Sequence, residues 1–109
     1  MRHVLIYGKQ LSYDKYKYKE DENMKISVIG SINMDQTVTA ERIPLKGETL
    51  HGDTLSYIPG GKGANQAVAM ARLGADVEMF GCVGDDSHGQ ALIDNLAEKG
   101  VKTGNIRKI

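Results

Sequence analysis

Cysteine is almost missing from this chain: Cys82 is the single one among 109 residues. No internal disulfide can form, and zinc has no cysteine pair to use. A reducing, cytoplasmic setting fits that usage. An excess of one charge is missing too, since 14 Lys and Arg balance 14 Asp and Glu. No basic surface is offered to nucleic acid or to an anionic membrane, so neither is an expected partner. No apolar run approaches the roughly 20 residues of a membrane-spanning helix. Met1 to Tyr7 turns polar too early for a secretory signal. The three histidines, His3, His51 and His88, are scattered with no metal-ligand spacing, so each is expected at the surface and no metal site is expected.

What is present suits one small domain. Hydrophobic residues make up 40% of the chain, which is enough for a globular core. Glycine is abundant, at 13 residues, and only Gly8 precedes Gly30. Grouped glycines point to turns shaped for close backbone approach. Residues 1–23 differ from the rest: four tyrosines fall there, and Asp14 to Asn23 has no aliphatic residue. Met24 then opens a clean apolar run. Residues 1–23 are therefore read as a non-native leader before a true start at Met24, or else as a poorly ordered extension.

The body alternates strand and helix patterns. Lys25 to Gly30 is short, apolar and β-branched, which predicts a buried strand. Ser31 to Asp35 is a polar segment at its carboxyl end. Residues 36–59 alternate loosely around Pro44, Gly47 and Gly52, predicting two or three short strands in a small sheet off the main body. Apolar residues at 64, 67, 68 and 71 match the helical template, and Gly74 stands where a helix-ending glycine belongs. Asp76 to Val83 reads as a strand with Val77, Met79 and Val83 on one face. A helix is predicted over 87–99, capped by Asp85 or Asp86, with Ala91, Leu92 and Leu96 inside. Val101 to Ile109 begins a further segment. Alternating elements of this kind predict an α/β layer fold with a mainly parallel sheet. In open sheets of that class, ligands bind beyond the carboxyl ends of the strands, where Gly30 to Asp35 lies.

Three groups of residues could carry chemistry. Gly60-Gly-Lys-Gly-Ala-Asn65 opens a helix and brings backbone N–H groups toward a ligand. It is neither a dinucleotide loop, because Gln66 occupies the last glycine position, nor a phosphate loop, because Gly63 follows Lys62. Asn33 and Asp35, two residues apart after a strand, can point into one crevice. Asp accepts from a vicinal diol, and Asn both donates and accepts. The plainer alternatives are a glycine turn, a solvated Lys62 and a polar Asx turn. Asp85 and Asp86 invite a magnesium reading, but a helix cap accounts for them better. Cys82 is expected as a small buried apolar residue.

Taken together, Gly30-Ser-Ile-Asn-Met-Asp35, Gly47-Glu-Thr49, Gly60-Gly-Lys-Gly-Ala-Asn-Gln-Ala67, Gly74 and Val83-Gly-Asp-Asp86 with Gly89 resemble the ribokinase-like, PfkB-type carbohydrate kinases. The resemblance runs from Met24 to Ile109. It implies the amino-terminal part of a three-layer α/β/α fold with a small β-sheet lid inside 36–59. It implies that Asn33 and Asp35 hold sugar hydroxyls, and that Gly61, Lys62, Gly63 and Asn65 line the pocket from the other side. It implies ATP, Mg2+ and a monovalent cation (K+) as cofactors of a full-length parent, D-ribose as substrate, and a homodimer through the lid.

One family feature is absent. The G-A-G-D motif that carries the catalytic Asp and an anion hole does not occur, and Gly74-Ala-Asp76 is only a superficial echo. The base is expected beyond Ile109, as are the nucleotide and potassium sites, so the chain is read as an excerpt or a truncated product. Alternatives stay open: a non-catalytic sugar-binding or self-associating module, or a kinase of the same family acting on fructose or a nucleoside.

Overall fold

A computed structural model of the chain describes residues 3–6 and 24–109, with burial described for 24–109. In chain order the elements are β1 (His3–Ile6), β2 (Lys25–Ile29), β3 (Asn33–Thr39), β4 (Thr54–Gly60), α1 (Lys62–Arg72), β5 (Asp76–Val83), α2 (Ser87–Glu98) and β6 (Lys102–Lys108). Four strands form a parallel sheet in the order β1-β2-β5-β6, and β3 pairs with β4 in a separate antiparallel sheet. The predicted α/β fold with a small accessory sheet is what forms.

The β2 strand shows why the main sheet holds. Ile26 and Val28 point to one face and are buried, while Lys25 and Ser27 alternate away from it. Its neighbour β5 repeats the pattern with Val77 and Met79, both fully buried. Both crossovers, β2 to β5 and β5 to β6, step the same way across the sheet. Right-handed connections then place α1 and α2 on one face. Ala64 and Ala67 let α1 lie close to the sheet, and Leu92 and Leu96 bring α2 onto it. Each fully buried Leu, Val or Met contributes about 1.5–3 kcal/mol of transfer free energy.

Several expectations are refined. Asn33 and Asp35 belong to strand β3 rather than to a polar turn, because their backbone pairs with Gly60 and Ile58. The accessory sheet has two strands, and Thr49 lies in the loop between them. The second helix uses Asp86 as its cap, the carboxylate accepting the Gly89 N–H at 2.7 Å. Ala91 is exposed instead of buried, since the inward face runs through Gly89, Leu92 and Leu96 and Ala91 falls outside it. Cys82 is exposed as well. It sits with Phe80 and Glu78 on the sheet face opposite the helices, so alternation along β5 carries it away from the core. Within residues 1–23, expected to be non-native or poorly ordered, His3–Ile6 forms β1 and pairs parallel with Lys25–Val28, and residues 1–2 and 7–23 lie outside the described residues.

Candidate functional site

The site begins where β2 stops. The Gly30 N–H still donates to the Phe80 carbonyl at 3.3 Å, continuing the sheet by one residue. Ile32 then turns into the core, only 8% exposed, and anchors the segment. With Ile32 fixed inward, the chain leaves the main sheet as β3.

The register of the small sheet sorts its side chains into two faces. Asn33, Asp35, Thr37 and Thr39 stand opposite Gly60, Ile58, Ser56 and Thr54. Directly opposed residues share a face in an antiparallel pair, so this side is mostly polar. Thr39 and Thr54 share a hydroxyl hydrogen bond of 2.6 Å across it. Met34, Val38, Leu55, Tyr57 and Pro59 occupy the other face. Met34 packs against the core, and the Tyr57 ring meets the His88 ring of α2 with centroids 4.6 Å apart. The small sheet is thus polar where Asn33 and Asp35 stand and apolar where it leans on α2.

Two backbone segments meet at the base of that polar face. Gly61, the N-cap of α1, has φ of 103°, which side chains other than glycine rarely adopt. A Cβ on it would meet the Ser31 carbonyl oxygen at 2.5 Å. Gly63 packs directly on Gly30, and a Cβ on Gly63 would lie 2.8 Å from the Gly30 Cα. The glycine loop therefore approaches the end of β2 to backbone contact. Ser31 ties the two together: its Oγ accepts the Lys62 N–H at 3.1 Å and its carbonyl accepts the Ala64 N–H at 3.1 Å. The Asp35 carboxylate lies over Gly60, where a Cβ would meet Oδ2 at 2.5 Å.

The expected groups are thereby brought together. Asn33 and Asp35 project from one face of β3, beside Gly60 and the start of α1. Gly61 and Gly63 form the close backbone contact at that start. Lys62 and Asn65 are exposed on the first turn. No acidic side chain lies in that first turn, and its Lys62 and Ala64 N–H groups are held by Ser31. A carboxylate and an amide thus stand on one face of β3 beside the start of α1, where the Lys62 side chain is exposed, and residues of these types are a donor and acceptor set for a polyhydroxy compound.

Neither described cavity is lined by Asn33, Asp35 or Lys62. A small one of about 30 Å³ lies between Ile32, Gly60, Asn65 and Asn95 and is of a size for water rather than a sugar. A wider hollow of about 500 Å³ lies against Val38, Arg42, Ile43 and Leu50, at the far end of the small sheet. It belongs to the apolar side and not to Asn33 and Asp35. Among the described residues no group of three or more His, Cys, Asp or Glu side chains is placed to hold a metal ion. Asp86 caps α2 through its carboxylate, and Asp85 is exposed beside it.

The loop beyond the small sheet is braced. Arg42 and Glu48 form a two-pronged ion pair, with Nη1 to Oε2 at 2.7 Å, and the Leu45 N–H donates to the same carboxylate at 2.8 Å. The Arg42 guanidinium first, and then the Leu45 N–H, hold the Glu48 carboxyl below its usual range. On the body, Asp76 raises Lys102 above its ordinary value through a hydrogen bond between β5 and β6.

Sequence reasoning missed Ser31 and the Tyr57–His88 contact. For Ser31 a signal existed: a helix that starts at glycine has no side chain of its own to cap its free N–H groups, so an acceptor must come from elsewhere. The Tyr57–His88 contact joins residues far apart in sequence, and no local pattern announces it.

Comparison with known proteins bears on this geometry. The family model described as pfkB family carbohydrate kinase matches residues 23–108. The chain is similar to the ribokinase of Bacillus subtilis (strain 168), 56% identical over 78 residues, covering 72% of this chain and 27% of that protein. It is similar to the deoxyribokinase of Salmonella typhi, 42% identical over 86 residues, covering 79% of this chain and 28% of that one. Among solved structures it resembles Arabidopsis thaliana ribokinase complexed with ribose and ATP, with a TM-score of 0.67 and 38% identity, over 75% of this chain and 27% of the other. The chain spans little more than a quarter of the length of these relatives.

Proposed function

This chain belongs to the pfkB family of carbohydrate kinases, and on that premise we propose that the whole protein transfers the γ-phosphoryl group of ATP to the primary hydroxyl of D-ribose, giving ribose 5-phosphate. The observation that carries the reading is the meeting of Asn33 and Asp35 with the glycine-led start of α1 at the carboxyl end of β2. Relatives named ribokinase, and a neighbour solved with ribose and ATP, supply the substrate class.

In this reading Asp35 accepts hydrogen bonds from adjacent hydroxyls and Asn33 holds a further one. Gly61, Lys62, Gly63 and Asn65 bound the sugar from the opposite side, with the Lys62 ammonium turned to its oxygens. The small sheet acts as a lid. Excluding water matters here, because water is the competing acceptor for the phosphoryl group. The base that takes the hydroxyl proton and the nucleotide site are assigned to the remainder of the polypeptide. So are Mg2+ and K+. This chain alone is expected to give no turnover. A homodimer through the lid is supported by apolar side chains exposed on the loop between β3 and β4, where Ile43 is 87% and Leu45 73% exposed.

The test is ATP-dependent phosphorylation by the full-length protein, offered D-ribose, 2-deoxyribose, fructose and adenosine in parallel. D-ribose is expected to give the highest kcat/KM. Preference for another acceptor would move the protein elsewhere in the family, and binding without turnover would leave a non-catalytic sugar-binding module.

A further inference from the structure

The start of α1 has an unusual supply of hydrogen-bond acceptors. Its N-cap is Gly61, which has no side chain to accept the free N–H groups of the first turn. The first turn holds no acidic residue either. Its acceptors come from thirty residues upstream, and both belong to Ser31: the hydroxyl takes the Lys62 N–H and the carbonyl takes the Ala64 N–H. A carbonyl is supplied by any residue, but the hydroxyl is supplied by this side chain. The two N–H groups it and its carbonyl hold lie inside the Gly60–Asn65 segment, and Ser31 itself lies two residues before Asn33.

We propose that Ser31 is a positioning residue of the sugar site, its hydroxyl acting as a remote N-cap that fixes the Gly60–Asn65 segment against the Asn33 and Asp35 pair. The proposal deepens the reading above and rests on it for the identity of the ligand. The physical reason is that the site is assembled from two segments, and each hydroxyl of the sugar must meet both. The pairing of Asn33 with Gly60 and the bond from the Ala64 N–H to the Ser31 carbonyl join the two segments on either side of Lys62. The directional bond to the Ser31 hydroxyl fixes the first-turn N–H between them before the sugar arrives. Ser31 is exposed, so its loss leaves water free to reach the Lys62 N–H, and the fold survives. The effect therefore falls on geometry rather than on folding.

Two measurements on the full-length protein test it. In steady-state kinetics, Ser31→Ala is expected to raise the KM for D-ribose about fivefold, the usual size of a lost N-cap, with the KM for ATP unchanged and the melting temperature lowered by no more than that one cap. Ser31→Thr, which keeps the hydroxyl, is expected to restore the parent KM. A parent-like KM for Ser31→Ala overturns the proposal, and so does a KM for Ser31→Thr as poor as that of alanine. Equal rises in both KM values with a lowered melting temperature also overturn it, because that pattern marks a merely structural residue. The second measurement is hydrogen exchange at the Lys62 amide without any sugar, expected to quicken about fivefold in Ser31→Ala. If the parent phosphorylates none of the offered acceptors, the functional reading fails, and the exchange rate at Lys62 still decides the Ser31 contact: an unchanged rate refutes it.

Discussion

The two sheets of this molecule are built from similar strands and held by different forces. In the parallel sheet, β2 and β5 alternate buried and partly exposed residues, and the buried set merges with α1 and α2 into one core. In the antiparallel pair, β3 and β4 are exposed along nearly their whole length. What holds that pair is cross-strand hydrogen bonding, the Thr39–Thr54 hydroxyl contact, the Arg42–Glu48 brace and the Tyr57–His88 stack. A packed core resists deformation, whereas a hydrogen-bonded ribbon without a core opens and closes at low cost. The difference teaches which part can move. The helix-covered sheet supplies a packed floor at Gly30 and Gly61, and the ribbon carries Asn33 and Asp35 at its root, with the part proposed as a lid beyond.

The widest separation between the two regions is expected in stability. Leu96→Ala empties a fully buried site and should cost about 2–5 kcal/mol by denaturant unfolding. Leu55→Ala, on the exposed ribbon, should stay within about 0.5 kcal/mol in the same experiment. Similar losses at the two positions would erase the distinction. Function should respond the other way round. Asp35→Ala is expected to weaken D-ribose binding about 10- to 100-fold by calorimetry, the range for a hydrogen bond to a charged group, with little change in melting temperature. A protein that loses stability and keeps its sugar affinity would make Asp35 a structural residue.

These expectations separate what the sequence states locally from what only folding assembles. The core strands were legible because Ile26, Val28, Val77 and Met79 repeat with the period of a strand. Helix ends were legible because Gly74 and Asp86 carry their own stop and cap chemistry. The ribbon was less legible: polar Asn33 and Asp35 look like turn residues, and their strand pairing depends on Gly60, which lies far along the chain. Cys82 was misplaced because composition gives its burial preference but not which face lacks a helix. Ala91 was misplaced because the α2 stripe is set by docking on β6, as much as by its own sequence. The site residues stood out through motif resemblance, and the contacts among them came only from the fold.

Smaller effects sharpen the contrast inside the ribbon. Glu48 sits below its usual range, so its contribution is present above the ordinary carboxylate pKa, about 4.3, and is lost as pH falls through the lowered folded value. Protection of the amides in loop 42–48, measured against the intrinsic exchange rate at each pH, should therefore be constant between pH 8 and about 5 and fall only in stronger acid, while the main sheet stays protected. Arg42→Ala should leave the loop with the same low protection at every pH. The smallest change is expected from His88→Ala, which removes the stack on Tyr57. Such contacts contribute about 0.5–1.5 kcal/mol at most, so lid protection should fall by a few-fold without a shift in overall stability.

The central claim is that the root of the ribbon and the start of α1 form two sides of one sugar site. Hydrogen exchange of the full-length protein, with and without saturating D-ribose, tests it most directly. The account predicts slowed exchange in two separate segments, 30–35 and 60–66, with the ribbon beyond them protected as the lid closes. Protection of one segment without the other, or of neither while ribose is bound, would contradict it.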